Sequence, residues 1–434
     1  MPKQNQTAPP VVHWLATRVH YAVALATLLV CIWGAVASAR AGLARLLSEF
    51  GTATNSLAAT KRALDFNAAD PAAHDAYAVE LANAGRNAEA VAEFERAVSL
   101  RPDDYLLWQE LGRLREDSAD TSGSLRALRR AVELAPYYSE PHWQLGNFLL
   151  RKTELNEAFT EMRVAAASDP LLFPVMIDLA WAVCEADVKC VLAATQPKND
   201  NERFSLGRFF VTQKSIDAGV NLVLAASKIG VEDRQEMVAT LVEAGEFKAA
   251  NRIWLTGIRP SNAQEGDLSD GGFEGPMSFD DQGFGWRPAH AQTIQILLDP
   301  NDPQDGSRSL MLTYAGNFDP NVPVISQLVL VEPGARYRLS FAARTHGLVS
   351  AGLPVVVVKN AAGDQSVIAQ SASLSPGTND WREFSIDFQT TDTAIAVKVS
   401  IQRQPCSSNP CPIVGRAGFD SFSLKRLQLN GAAK

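Results

Sequence analysis

Reactive chemistry is what this 434-residue chain has least of. It holds five cysteines and six scattered histidines, with no His-Glu-x-x-His, no Gly-x-Ser-x-Gly and no glycine-rich phosphate loop. Zinc hydrolases, elbow-type serine hydrolases and phosphate-loop enzymes are therefore without their signatures. A strong charge bias is missing too: the formal net charge is −8 and no basic run stands out, which argues against nucleic acid as a partner. Charge of any sign is absent from Tyr21 to Ala39. As a helix that stretch would reach about 28 Å, close to the hydrocarbon thickness of a bilayer. Arg18 and His20 precede it and Arg40 and Arg45 follow, so flanking charge decides little about orientation. The short tail of residues 1–20 favours an uncleaved signal anchor over 21–39, with the tail cytoplasmic and the remainder exported. Cleavage after Ala37-Ser38-Ala39 is the alternative, giving a secreted chain.

The few cysteines are informative by position. Cys31 lies inside the apolar run and reads as a small hydrophobe. The others form two local pairs, Cys184 with Cys190 and Cys406 with Cys411, and no neighbouring histidine makes either a zinc site. Disulfides are the expectation for both, which suits an oxidising compartment; unpaired cytosolic thiols are the alternative.

What the chain does have is a period. Pro102, Pro136 and Pro170 stand 34 residues apart, and the residues between them repeat in register. Small residues recur at Ala78, Gly112 and Gly146, each after a large apolar one, Tyr77, Leu111 and Leu145. Ala90, Ser124 and Ala158 follow, then Phe94, Leu128 and Met162, then Ala97, Ala131 and Ala165. Small positions let two helices approach closely and large ones fill the space beside them, so each unit predicts a helical hairpin ended by its proline. Units should begin near Pro71, Tyr105 and Ser139.

Trp108-x-x-Leu111-Gly112, Ala90-x-x-x-Phe94 and the terminal prolines resemble the tetratricopeptide repeat, clearly so over residues 71–172. Ser56, Thr60 and Ala63 read as the second helix of an earlier unit. Leu206-Gly207 with Phe210, and Glu243 to Trp254, read as two further helix pairs, extending the helical domain over 42–257. The resemblance implies a solenoid whose first helices line a partner-binding groove. Matching positions are Asp75, Asn83, Gln109, Arg113, Glu116, Asp117, Trp143, Asn147 and Arg151, with Trp143 the natural anchor. Repeats that clamp carboxylate tails want Lys where this chain has Asp75, Gln109 and Trp143, so such a tail is not the expected ligand.

Near Gly257 the pattern changes. Residues 258–272 are rich in Pro, Ser, Asn, Asp and Gly, as a linker is. Beyond them the period is 2: Tyr337, Leu339, Phe341 and Ala343 alternate with polar or small residues, as do Phe384, Ile386 and Phe388, and Ile395, Val397, Val399 and Ile401. Further strands are expected at Thr293–Leu298, Ser309–Tyr314, Val324–Val331, Pro354–Val358, Val367–Ser371 and Phe419–Leu424. Eight or nine such strands predict a β-sandwich over 273–427.

Gly271-Gly272-Phe273-Glu274-Gly275, Gly285-Trp286, Pro333-Gly334-x-x-Tyr337, Asp380-Trp381 and Phe419-Asp420-x-Phe422 resemble a carbohydrate-binding module of the galactose-binding-like jelly-roll type. That resemblance implies a structural calcium where the first strand meets the last, with Glu274 and Asp420 at the matching places and backbone carbonyls completing the oxygen shell. It implies a glycan site needing a flat ring and planar polar groups, for which Trp286, Tyr314, Asn317, Phe318, Arg344 and His346 are candidates. Glu274, Asp280 and Asp281 could pose as the paired carboxylates that glycoside hydrolysis needs, and their glycine-rich setting speaks for solvation rather than catalysis.

The fold class expected is therefore an all-α repeat solenoid followed by an all-β jelly roll, with one N-terminal transmembrane helix. The resemblances imply a non-enzymatic adaptor in a bacterial inner membrane. Most of the chain would lie in the periplasm, and the adaptor would serve exopolysaccharide assembly or export through a protein partner and a polysaccharide. A pure assembly scaffold is the alternative.

Overall fold

The computed structural model describes residues 10–257, 268–279, 281–289, 293–363, 365–406 and 410–427, with side chains from residue 19 onward. Tail residues 1–9, the linker segment 258–267 and Asp280 lie outside the described residues. The chain divides into two compact units, Met1–Gln196 and Pro197–Lys434.

The first unit is helical. Helix α1 spans Pro10–Ala53 and α2 Leu57–Phe66. Three hairpins follow: α3 Pro71–Asn83 with α4 Asn87–Leu100, α5 Tyr105–Asp117 with α6 Thr121–Leu134, and α7 Ser139–Arg151 with α8 Leu155–Ser168. A fourth, shorter pair is α9 Leu172–Val183 and α10 Val188–Thr195. The expected starts at Pro71, Tyr105 and Ser139 are the observed ones. Asp70 and Asp104 explain two of them, since their side chains accept from the N–H groups of Ala72 and Leu106 at 3.0 and 3.2 Å. The repeat chemistry also shows in the loop contacts: His74, Trp108 and His142, one period apart, bond the carbonyls of Ala68, Pro102 and Pro136. Phe94, Leu128 and Met162 are fully buried opposite the small positions. Each such burial stabilises by roughly 1.5–3 kcal/mol.

Two expectations need correction. The apolar helix does not end at Ala39 but continues to Ala53, and its last turns pack on α2 and α3. Ala44 there is fully buried. Leu43-Ala44 stand 34 residues before Tyr77-Ala78, so α1 ends as the first helix of the earliest hairpin. Beyond Pro170 there are three further helix pairs rather than two, because α9 and α10, joined by Cys184–Cys190, form one of their own.

The second unit begins with α11 Asp200–Thr212, α12 Ile216–Ala225, α13 Val231–Glu243 and α14 Phe247–Gly257. Among the described residues ten strands follow: β1 Arg287–Pro288, β2 Ile294–Asp299, β3 Ser309–Asn317, β4 Ile325–Leu330, β5 Arg336–Ser350, β6 Pro354–Asn360, β7 Val367–Gln370, β8 Gly377–Gln389, β9 Ala396–Arg403 and β10 Pro412–Arg426. They form two antiparallel five-stranded sheets, ordered β1-β4-β9-β6-β7 and β2-β3-β10-β5-β8, in a jelly-roll-like sandwich. Leu339, Phe341, Phe419, Val356, Val399 and Ile401 meet in the core between them, as the period-2 alternation predicts. Strand β1, two residues long, is too short to show alternation, and β10 is longer than the expected Phe419–Leu424.

Helices α13 and α14 pack on the outer side of the first sheet: Met237, Leu241, Ile253 and Trp254 share an apolar cluster with Leu330 and Ala396. The Trp254 indole donates to Asp281 at 3.0 Å. Residues 268–272 are not free linker. Ser269 and Gln327 exchange two hydrogen bonds at 2.9 and 2.8 Å, and the Gly271 carbonyl accepts from the N–H of Phe422.

Candidate functional site

The first candidate is the face formed by α3, α5 and α7. Arg113, Glu116, Leu128, Glu140, Trp143, Gln144, Asn147 and Arg151 line an open cleft of about 280 Å³. Five of the nine residues nominated for the groove are among them. Arg151 on α7 makes a two-pronged ion pair with Glu116 on α5, at 2.9 and 2.7 Å. Arg113 bonds Glu110 and Asp117 on its own helix. Most charge here is thus already paired. The ring of Trp143 is half-buried, and its indole N–H has no partner among the described residues. Gln109 is buried and its side-chain oxygen is unbonded, while Asn83 is exposed at the end of α3.

Asp75 sits at the same repeat offset as Gln109 and Trp143. Burial, then the negative charges of Glu110 and Asp104, push its carboxyl up to about 6 from an ordinary 3.8. Because the folded pKa is the higher one, the contribution is complete below about pH 3.8 and is lost as pH rises through about 6. The stability of the native chain relative to Asp75→Asn should therefore fall by ~2 kcal/mol between pH 4 and pH 7.5, after discounting for partial exposure. Urea titrations at the two pH values measure this, and parallel profiles for the two chains would refute it. Arg101 offsets only part of that cost, so the ionised, half-desolvated carboxylate is chemically ready to receive a further cation.

In the β-sandwich the structure separates the nominated residues. Trp286 lies against Phe273 and Phe422, ring centres 5.1 Å away in each case, with its N–H on the Asp270 carbonyl. Tyr314 and Phe318 are likewise buried, and burial pushes the Tyr314 hydroxyl pKa upward. These three rings serve the core, which withdraws them from stacking on a sugar. Asn317 accepts from the N–H of Cys411. Arg344 lies 4.9 Å from the Trp381 ring centre and bonds Asp302 and the Asn301 carbonyl; His346 is exposed. Trp381 therefore stands on the outer face of the second sheet, a position that alternation along β8 could have indicated.

Glu274 and Asp420 both lie close to Gly272. Their oxygens are engaged, however. Glu274 accepts from the N–H groups of Ser307 and Arg308 and from the Ser307 hydroxyl, and Asp420 from those of Gln304, Asp305 and Ser421. Burial raises the Asp420 pKa and the hydrogen bonds lower that of Glu274. Among the described residues no group of three His, Cys, Asp or Glu is placed to hold a metal ion, so two occupied carboxylates do not fit a calcium shell of six to eight oxygens. They act as staples for residues 304–308. Asp281, the other acid considered, is buried and bonds Trp254, Gly283 and Gly285. Both nominated cysteine pairs are disulfides, with Cα atoms 5.7 and 5.9 Å apart.

Comparison with known proteins follows the same division. A family model described as a tetratricopeptide repeat matches residues 71–114, and one described as a carbohydrate binding domain matches 268–408. The chain carries a tetratricopeptide repeat and a CBM4-like domain. No curated protein matches it. Similar solved structures include MamA (residues 41 to the end) from Desulfovibrio magneticus RS-1, at 20% identity over 36% of this chain and 92% of that one, TM-score 0.32. A structure titled "CBM4 structure and function" is 15% identical over 37% of this chain and 99% of its own, TM-score 0.28. The CBM22-1 xylan-binding domain of Paenibacillus barcinonensis Xyn10C is 14% identical over 38% and 99%, TM-score 0.28. Tetratricopeptide and carbohydrate-binding domains are themselves non-catalytic. One helix, Val19–Ala53 within the described residues, is long and apolar enough to cross a membrane.

Proposed function

We propose that this protein is a non-enzymatic adaptor, tethered to a membrane by α1, that holds a protein partner in the α3–α5–α7 groove and a glycan on its β-sandwich. The observation that carries the reading is the cleft around Trp143. It offers a half-buried indole with a spare N–H, side-chain amides at Gln144 and Asn147, and, two repeats away at the same offset, the half-desolvated carboxyl of Asp75. That chemistry suits an extended segment of a partner bearing an apolar anchor and a basic side chain. The two disulfides suit an oxidising, extracytoplasmic setting such as the periplasm. Exopolysaccharide assembly or export is the process that a tethered protein-and-glycan adaptor would serve.

Photo-crosslinking from position 147 in the native host tests the groove. One discrete adduct is expected, and Trp143→Ala or Asp75→Lys should reduce it about tenfold while leaving the far-ultraviolet spectrum unchanged. Adduct yields insensitive to both substitutions would refute the groove assignment. A second reading, a scaffold whose β-sandwich binds no sugar, is favoured by the burial of Trp286, Tyr314 and Phe318. A glycan array probed with the full chain decides between the two: no retained glycan alongside an intact crosslink establishes the scaffold.

A further inference from the structure

Strands β6 and β9 set Lys359 directly opposite Lys398. Both side chains stand on the face turned away from the core, since they alternate with Val358, Val397 and Val399, which are core residues. Like charges directly opposite one another destabilise a strand pair. Arg287, on the edge strand β1, adds a third positive charge to the same face. Burial first, then Arg287 and Lys359, hold the Lys398 ammonium below its usual range. None of the three makes a hydrogen bond or ion pair with any described residue. Two other arginines of the sandwich are matched with acids, Arg338 with Asp387 and Arg426 with Glu332.

Arg287 and Lys398 border a cavity of about 140 Å³, and Lys359 stands beside Lys398 just outside its lining. Arg287, Lys398, Ser326, Gln282 and Gln365 supply its polar groups, and Val242 and Phe247 of the covering helices its apolar wall. Two cations, a hydroxyl and two amides make a donor set for a planar anion. The volume admits one substituent and the edge of a ring, not a chain. A neutral ring would want an exposed aromatic platform; Phe247 is buried in the helix cluster, and the outward positions of this sheet, Ser326, Leu328, Val355, Val357, Ser400 and Gln402, provide none.

We propose that this cavity between α13–α14 and the first sheet binds the carboxylate of an acidic saccharide. The inference rests on the glycan-binding reading above and makes it specific for charge.

Calorimetry on the full chain in detergent tests it with three probes: trigalacturonate, its methyl ester and inorganic phosphate. Trigalacturonate should bind, its ester at least tenfold more weakly, and Lys398→Gln or Arg287→Gln should each lose at least tenfold in affinity. The same variants should melt no lower than the native chain, because the substitution removes repulsion; this separates lost binding from lost folding. Equal affinity for acid and ester, or full affinity in both variants, overturns the proposal. Phosphate binding with trigalacturonate silent overturns the saccharide assignment. A neutral glycan held equally by native and variant chains sinks this inference and leaves the glycan reading standing. Failure of every glycan sinks both.

Discussion

Replacement of Arg403 by Ala is expected to destabilise the second unit by ~4 kcal/mol. Arg403 lies at the end of β9 with 2% of its surface exposed. Its guanidinium donates to the carbonyls of Phe318 at 2.6 Å and Gly352 at 3.1 Å, and to the Ser350 hydroxyl and Cys411 sulfur at 2.9 Å each. No carboxylate pairs with it among the described residues. Neutral dipoles alone compensate a buried cation, and burial accordingly lowers its pKa. Truncation leaves buried carbonyls unbonded and opens a cavity, two penalties of the same sign. Arg403→Lys keeps the charge but not the fork, so it should recover only part of the loss. Urea unfolding followed by near-ultraviolet circular dichroism measures both. A loss below 1 kcal/mol for the alanine variant would show that the cluster of Arg403, Phe318 and Cys411 is not what closes this end of the sandwich.

The second large effect is expected in the first unit. A Cβ on Gly112 would lie 2.7 and 2.8 Å from Leu128 Cγ and Cδ2 and 3.3 Å from the Leu128 nitrogen. Leu128 is itself buried, so it has no free space to yield into. Gly112→Leu should cost ~3 kcal/mol by forcing α5 and α6 apart, and should weaken partner capture because Arg113 and Glu116 follow on α5. Adding Leu128→Ala returns volume, so the double variant should be more stable than the sum of the single changes predicts. Additivity in that cycle would refute direct contact. The neighbouring hairpin sets the comparison: Ala78 carries a Cβ at the equivalent place opposite Phe94, and both are fully buried. The gap is therefore tuned hairpin by hairpin, with the small residue always on the first helix and the large one always on the second.

The helical half was readable because each of its features repeats. Three copies of Tyr77-Ala78, Leu111-Gly112 and Leu145-Gly146 place the hairpins within a residue of their observed starts. A fourth copy, Leu43-Ala44, lies just past the charge-free run and is harder to see, since membrane burial and helix packing select the same residue types. The groove followed from the same register. Its ion pairs did not, because Arg151 and Glu116 are 35 residues apart and meet only through the stacking of α5 on α7.

In the β-sandwich, alternation showed which residues face inward but could not rank aromatics by role. Trp286 and Trp381 both follow turn-like residues, yet one is packed between Phe273 and Phe422 and the other lies beneath Arg344 on an outer face.

The order of residues alone determined where helices and strands run, which cysteines pair and where an apolar helix stands, since each is written in spacings of a few residues or in a repeated period. Only the folded chain decided that Glu274 and Asp420 staple a loop, that Arg403 is buried without a counter-ion and that Lys359 faces Lys398. Those facts depend on strand order and register, which join positions tens of residues apart and leave no trace in local spacing.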